Sequence, residues 1–465
     1  MKAKLILPCA VLFTGLICYL TQLLLGLSLA LPFVSPLFPL THDLFGDFIK
    51  HVGSYLDPST IHVEAWMPAD SREIIQTYVD HNSKSNPALA GSTLTHFNSP
   101  PIVQIFVVAF AAKLLALLGP LTSFFIINLI LLAVLFWCVS LCCDNSRDRW
   151  LLFLSIIVLY PSLFAFLRGN LYSVMSTLGI AISFVLAAAR VKPVFWAYLG
   201  MSVAIGFRPN NILFLPLLCI LQQRLIPGLP SLGKLLASAI AIAVLSILFS
   251  FALAKLLYPV YEPKVFLAAY SYYSKLFEFG FFGSLNGSSL LQPLFLMAKY
   301  LELKLPSFYF PQLLLLIRVS TLTFGLAICG FSYYYAYGKN ASLPRAILLN
   351  VIGLMMATPV FADYHLMVLI VPVLIAICLE SRDKQLDGRV SFHSNYAIAR
   401  SDALVLILLL APKPFVIPYS LNTASGLMQA NFTVGTFVNP AVAMFYLVYL
   451  VIAFRAKRSV VPVGF

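Results

Sequence analysis

Long apolar runs separated by short polar segments follow one another along almost the whole chain. An α-helix needs about 20 apolar residues to cross the hydrocarbon core of a bilayer, and most of the runs approach that length. The pattern predicts about 12 transmembrane helices (11–13), near residues 5–29, 121–143, 150–167, 171–190, 194–207, 209–223, 235–257, 309–335, 345–361, 365–380, 402–419 and 440–455. We therefore predict an all-α polytopic membrane protein that forms a single integral membrane domain, residues 1–465.

Two of the predicted helices are short. Segments 194–207 and 209–223 meet at Arg208-Pro209. A proline removes a backbone donor and breaks a helix. Because non-helical backbone at membrane depth is tolerated only where it lines a cavity enclosed by protein, this break predicts a functional position.

Segment 102–118 is apolar enough to span the membrane but is not among the twelve predicted helices. Counting it as a span would place Arg168 and Asn170 on the cytoplasmic side. Either the segment lies in the membrane interface, which is the interpretation we favour, or residues 194–223 form one kinked span.

Composition agrees with a membrane protein and indicates its orientation. The chain is 61% apolar and only 10% charged, with a mean hydropathy of +0.93, whereas about a quarter of the residues in a soluble domain are charged. The net charge of +13 does not indicate a nucleic-acid partner, because the cations lie at the ends of apolar runs. This distribution marks the loops that carry them as cytoplasmic, and contact with anionic lipid head groups is a secondary possibility. These cations are Arg190, Lys192, Arg224, Lys234, Lys339, Arg345, Arg382, Lys384, Arg389, Arg455, Lys457 and Arg458.

The first apolar run and the positions of the cysteines indicate the cellular compartment. The first run follows Lys2 and Lys4 and is longer than the core of a signal peptide, so we interpret it as a retained signal anchor. All eight cysteines lie in or beside apolar runs, which argues against a disulfide framework. We predict a multi-pass protein of the plasma (inner) membrane whose functional site faces the external, or periplasmic, side.

Seven of the 17 acidic residues lie in one polar loop, residues 35–100, directly after the first predicted helix. A second external loop is predicted at 258–305 and a shorter one at 420–438. Carboxylates concentrated in one place on a hydrophobic protein indicate chemistry there, although a single aspartate in such a loop is usually only solvated. The acidic residues are Asp43, Asp47, Asp57, Glu64, Asp70, Glu73 and Asp80, and the loop also carries His42, His51, His62, His81 and His96.

Further polar motifs lie at the ends of apolar runs, all on the predicted external side. Each has an ordinary structural explanation, since prolines start helices, asparagines form turns and arginines reach toward head groups. Their convergence on one face favours function, because ionisable groups near membrane depth are costly. The motifs are Asn98-Ser99-Pro100-Pro101, Arg168-Gly169-Asn170, Arg208-Pro209-Asn210, Asn286-Gly287-Ser288-Ser289-Leu290 and the segment from Thr358 to His365.

The order of these motifs resembles that of the polyprenyl-phosphate-sugar-dependent glycosyltransferases of the GT-C superfamily. It is most similar to family 87, the DUF2029 group, which includes mycobacterial mannosyltransferases and arabinofuranosyltransferases. The resemblance covers about residues 5–380 and includes an aspartate after the first span, matched by Gly46-Asp47-Phe48. The sequence departs from the family pattern at Tyr364, which replaces the first histidine of a His-His pair, and at Ala362, which replaces a tryptophan.

The resemblance implies transfer of a hexose, mannose-like, from a polyprenyl-phosphate donor to a lipid- or glycan-linked acceptor. Such a reaction needs a base for the acceptor hydroxyl and cations for the departing phosphate. We predict Asp47 as the base, with Asp43 as the alternative. The remaining predicted roles are binding of the donor phosphate by Arg208, Arg168 and His365, and sugar or acceptor binding, or shaping of the cavity, by Asn170, Asn286 and Asp363.

The sequence predicts no cofactor and no metal, since the lipid-linked sugar phosphate is a substrate and the loop histidines lack the spacing of a metal site. Two other functions stay open. An O-antigen ligase or polymerase also has about twelve spans, but usually carries its large external loop late in the chain. A multi-pass transporter tends to show inverted repeats and ionisable residues within its spans, and neither pattern is visible here.

Overall fold

The computed structural model describes residues 101–106, 110–257, 289–290, 310–338, 341–358, 361, 363–385, 398–411, 416–423, 426–433 and 435–459, together with single positions elsewhere. Nearly all of this part of the chain is helical. Its α-helices are α1 Pro101–Phe106, α2 Ala112–Cys142, α3 Ser146–Val158, α4 Tyr160–Arg168, α5 Leu171–Ala188, α6 Phe195–Phe207, α7 Leu215–Leu225, α8 Leu232–Leu257, α9 Phe310–Tyr337, α10 Leu343–Ala357, α11 Ile370–Gln385, α12 Arg400–Leu410 and α13 Gly435–Ser459. Two 3-10 helices, Pro209–Phe214 and Asp363–Leu369, precede α7 and α11.

Several of these helices are long and apolar enough to cross a membrane. Within the described residues there are 6 such helices, or up to 7 if the bent pair α3 and α4 forms one span. This finding confirms the prediction of an α-helical membrane protein, whereas the count of about twelve spans stays a prediction. The qualifying stretches are Leu121–Cys142, Leu171–Ala188, Leu232–Leu257, Leu315–Tyr337, Tyr364–Ser381 and Gly435–Phe454.

Helices α5 and α8 illustrate two different surroundings for an apolar helix. In α5, 78% of the span is buried within the protein, whereas in α8 the figure is 22%. A helix that is apolar all round is either buried or faces lipid. α5 is therefore a central helix of the bundle, whereas most residues of α8 lie at the outside of the bundle, the side that faces lipid in a membrane protein.

The chain breaks at Arg208, as the proline after it predicts. α6 ends at Phe207, Arg208 is extended (φ −144°, ψ 104°), and the 3-10 helix that begins at Pro209 leads into α7. At the far end of α7, Arg224 donates to the carbonyls of Ala336 and Ala341, beside the start of α10. At the near end, Asn210 bonds to Thr358, which follows the end of α10.

α7 therefore runs away from Thr358 along α10, a distance of about 22 Å for the 15 residues of that helix. α6 runs in the opposite direction, because it packs antiparallel to α5, with Gly200 close to Gly179 and Arg208 beside the first turn of α5. The two short helices are thus separate elements. The alternative of one kinked span over residues 194–223 is wrong.

The start of segment 102–118 packs against the bundle, whereas Leu117 and Leu118 near its end are exposed. α1 packs on α6 and α8, Val103 is buried, and the side chain of Ile102 would lie 3.1 Å from a Cβ atom on Gly206. The chain then continues through α2, which has a kink at Gly119, where φ is +75°. The interpretation that we favoured, a segment lying at the membrane interface, stays a prediction.

The predicted helix at 402–419 is too long. α12 ends at Leu410, and the chain next forms β1, Val416–Thr423, and β2, Gly426–Thr433. The two strands pair antiparallel, with Val416 opposite Thr433. An apolar run cannot by itself distinguish strand from helix, so the hairpin is an addition to the predicted all-α fold.

Close helix contacts depend on glycine at two places. A Cβ atom on Gly325 of α9 would lie 2.5 Å from the carbonyl oxygen of Gly353 in α10, and one on Gly179 would lie 2.8 Å from that of Gly200. Small residues allow backbones to approach in membrane helices, where burial of apolar surface gives little driving force. These contacts align α9 with α10 and α5 with α6.

A buried ion pair joins three helices at the end of the bundle far from Thr358. Arg345 of α10 donates from Nε to both carboxylate oxygens of Asp402 in α12, at 3.0 Å. Tyr446 of α13 donates its hydroxyl to the same carboxylate at 2.6 Å. Asp402 is only 2% exposed, so its charge is compensated inside the protein.

We expect Asp402→Ala to destabilise the protein by on the order of 3 kcal/mol, because it leaves the Arg345 charge without its carboxylate. The measurement is the melting temperature of the protein purified in detergent. Asp144→Ala is the matched control, since Asp144 is exposed at the end of α2. Equal melting temperatures for the two variants would show that the ion pair does not hold the three helices together.

Candidate functional site

Arg208 is positioned by the break between α6 and α7. Its Nη2 atom donates to the hydroxyl of Ser173, in the first turn of α5, at 2.9 Å. The side chain of Asn211 donates to the hydroxyl of Ser176 at 2.6 Å and to the carbonyl of Ala204 at 2.9 Å. The break therefore costs α6 little hydrogen bonding, and it directs a half-buried guanidinium group toward the start of α5.

Gly169 and Asn170 form the corner between α4 and α5. Gly169 has a φ of +69°, in the left-handed region that favours glycine, and it ends α4. Asn170 is the N-cap of α5, and its Oδ1 atom accepts from the backbone N–H of Ser173 at 2.9 Å. The cap thereby fixes the residue that binds Arg208. This is a structural role for Asn170, while its predicted contact with a sugar stays a prediction.

Arg168, the last residue of α4, lies against two aromatic rings. Its Cζ atom is 5.9 Å from the ring centroid of Phe164 and 5.7 Å from that of Tyr364. These distances fit cation–π contacts, which extend to about 6 Å. The arginine of the Arg-Gly-Asn motif thus contacts the later Thr358–His365 segment, which is far away in sequence.

His365 packs against a pair of aromatic residues, in the same cluster as the two arginines. Its ring centroid is 4.5 Å from that of Tyr364 and 5.2 Å from that of Phe361, both with edge-to-face geometry. The guanidinium charges of Arg208 and Arg168 both act on the imidazole. The side chain of His365 is only 7% exposed, so it is buried.

Thr358 joins three of the motifs. Its hydroxyl accepts from the side chain of Asn210 at 3.1 Å, and its carbonyl accepts from the hydroxyl of Ser289 at 2.7 Å. Asn210 belongs to the Arg-Pro-Asn motif and Ser289 to the second predicted loop. The ends of α4, α6 and α10, the start of α5 and the segment before α11 therefore meet at one end of the bundle, which we call the motif end.

An apolar cavity of about 260 Å³ lies between α1, α2, α5 and α6, apart from the arginines. On α5 it is lined by Met175, Leu178, Gly179 and Ile182. At about 100° per residue these positions lie about 140° to 240° around the helix from Ser173, which binds Arg208. The cavity and the arginine cluster thus occupy opposite faces of α5.

The structure brings together four of the predicted site residues: Arg168, Asn170, Arg208 and His365. Three others, Asp43, Asp47 and Asn286, lie outside the described residues. Asp363 begins the 3-10 helix that carries His365, but its side chain is not among those described. The predicted distance between Asp47 and a cation stays a prediction.

No family model, curated protein or solved structure matches this chain. The function is therefore inferred from the residues of the motif end. In the part of the chain that the structure describes, no group of three or more His, Cys, Asp or Glu side chains is arranged to hold a metal ion. The predicted independence from metal and cofactors stays a prediction.

Three residues at the motif end were assigned no role by the sequence. Ser173 binds Arg208, Tyr364 faces Arg168, and Thr358 joins three of the motifs. Ser173 follows the cap Asn170 by three residues, which is the spacing of an N-cap contact and a usable signal. No local sequence pattern predicts the contacts of Tyr364 and Thr358, because their partners are distant in sequence.

The chemistry available at the motif end is that of an anion site. Two guanidinium groups come from different helices, and each offers donors in a planar fork that matches a phosphate. The start of α5, which carries the partial positive charge of a helix N-terminus, lies beside Arg208. The arrangement can stabilise a negative charge near membrane depth, where such stabilisation is stronger than in water.

Proposed function

We propose that this protein is a membrane glycosyltransferase. It moves a hexose, mannose-like, from a polyprenyl-phosphate donor to a lipid- or glycan-linked acceptor on the external face of the membrane. The observation that carries the proposal is that three separate segments bring Arg168, Arg208 and His365 to one end of the helical bundle. Placing cations together at membrane depth is costly, and this cost favours a functional role.

The proposed reaction gives each charged group a task. The oxygen of the acceptor hydroxyl bonds to the anomeric carbon of the sugar, and the bond from that carbon to the phosphate oxygen breaks. Asp47 takes the proton of the hydroxyl, and polyprenyl phosphate leaves with the electrons of the broken bond. Arg208 and Arg168 stabilise the charge that develops on the phosphate, and His365 donates to the same group.

The distribution of basic residues supports the external side for this reaction. Arg224 and Arg345 lie at the opposite end of the bundle from Thr358, and Arg190 follows the far end of α5. Cytoplasmic ends of membrane proteins carry an excess of lysine and arginine. This orientation would expose the motif end to the periplasm, where a lipid-linked donor is available and nucleotide sugars are not.

The test is sugar transfer from a radiolabelled polyprenyl-phosphate mannose, measured in membranes that contain the wild-type protein. Membranes from the same host without the protein are the control, and a second set of reactions replaces the donor with a nucleotide sugar. We expect label in an extractable lipid or glycan product only with the polyprenyl-phosphate donor. Transfer from the nucleotide sugar alone, or label carried across sealed vesicles without a new product, would contradict the proposal.

A further inference from the structure

We propose that Tyr364 is a positioning residue that holds the Arg168 guanidinium group against the donor phosphate. The inference rests on the proposed function and adds a residue to its site. Tyr364 is half-buried in the 3-10 helix between α10 and α11, and its ring centroid is 5.7 Å from the Cζ atom of Arg168. Phe164, one turn before Arg168 on α4, lies on the same guanidinium group at 5.9 Å.

The two rings and the arginine form a connected unit. The ring centroids of Phe164 and Tyr364 are 5.7 Å apart. The ring of Tyr364 is in turn 4.5 Å from that of His365. The side chain of Arg168 is therefore held from its own helix by Phe164 and from a distant segment by Tyr364, which also contacts the third proposed phosphate ligand.

An aromatic partner suits an arginine that binds an anion. The face of a phenol ring attracts a guanidinium group through its quadrupole, and the ring carries no net charge at neutral pH. Unlike a carboxylate, the ring orients the cation without cancelling its charge. Tyr364 thus reduces the number of orientations of Arg168 while leaving its charge to act on the phosphate, and a preorganised ligand binds more tightly.

The experiment is a double-mutant cycle on the affinity for undecaprenyl phosphate, measured by native mass spectrometry of the purified protein. We expect Tyr364→Leu to weaken binding by about 3- to 10-fold, the cost of ordering one side chain that is no longer preorganised. Tyr364→Phe keeps the ring and should rescue the affinity to within about two-fold. Tyr334→Leu is the matched control, because Tyr334 is 76% exposed on α9.

The cycle separates a positioning role from a structural one. If Tyr364 acts through Arg168, Tyr364→Leu has no further effect on affinity once Arg168→Gln is present. An equal loss in both backgrounds, or a Tyr364→Leu protein that binds like the wild type, would overturn the inference. Melting temperatures of all variants show whether the fold is kept.

The outcomes also separate this inference from the proposed function. If Tyr364 and Arg168 are coupled in phosphate binding but the protein transfers no sugar, the inference about Tyr364 stands and the proposed glycosyltransferase activity is refuted. Sugar transfer by the wild type, together with a Tyr364→Leu variant that binds undecaprenyl phosphate like the wild type, would support the glycosyltransferase and overturn the inference about Tyr364. A wild type that does not bind undecaprenyl phosphate would overturn both.

Discussion

Asp47→Asn is expected to lower the rate of sugar transfer by about 10²- to 10⁴-fold, the usual contribution of a general base. The amide cannot accept the proton of the acceptor hydroxyl, although it keeps the size of the carboxylate. The donor affinity should change little, since the phosphate is bound by other groups. The measurement is transfer from the radiolabelled donor at matched amounts of protein in the membrane.

Two variants in the same loop complete this test. Asp43→Asn probes the alternative base, and Asp57→Asn is the control for loss of a carboxylate in the loop. A large loss with Asp43→Asn and none with Asp47→Asn moves the base to Asp43. Full activity in both Asp43→Asn and Asp47→Asn would show that neither aspartate is the base.

Arg208→Gln is expected to lower kcat/KM for the donor by about 10²- to 10³-fold, comparable to the loss of one donor from an oxyanion hole. The glutamine can still reach a hydroxyl such as that of Ser173, but it has no charge to stabilise the departing phosphate. Because that charge develops as the bond breaks, kcat should fall as well as donor affinity.

Arg208→Lys and Arg147→Gln serve as comparisons for the Arg208 prediction. A lysine keeps the charge but loses the planar fork, so we expect partial activity. Arg147 is exposed at the start of α3, and its replacement should leave transfer unchanged. If Arg208→Gln and Arg147→Gln behave alike, Arg208 does not contact the phosphate in the transition state.

The described helices and the break at Arg208 were largely predictable from local sequence, whereas the 70° bend that divides the predicted helix 150–167 into α3 and α4 was not. Apolar runs of membrane length located most of the described helices, and the break at Arg208-Pro209 followed from the missing donor of proline. The residues between α4 and α5 also act locally, since Gly169 adopts a positive φ and Asn170 caps the next helix. Each of these features depends on neighbours within a few residues, so the sequence carries the signal.

The hairpin and segment 102–118 show where apolar composition was insufficient. Val416–Thr423 continues the apolar run of α12 but forms a strand, and its partner Gly426–Thr433 lies beyond that run. Burial of Val103 in the bundle depends on contacts with α6 and α8. Hydropathy reports a preference for an apolar environment, and lipid and protein interior satisfy it equally.

The sequence by itself determined the class of protein, the position of the central break and the residues that mark the motif end. Only the tertiary structure decided which of those residues meet. The hydrogen bond between Asn210 and Thr358 joins positions 148 residues apart, and the contact of Tyr364 with Arg168 joins α4 to the segment before α11. Such contacts arise from helix packing, where small residues such as Gly325 and Gly179 set how closely helices approach. Because packing is a property of the whole bundle, no local pattern could have paired an arginine with its tyrosine.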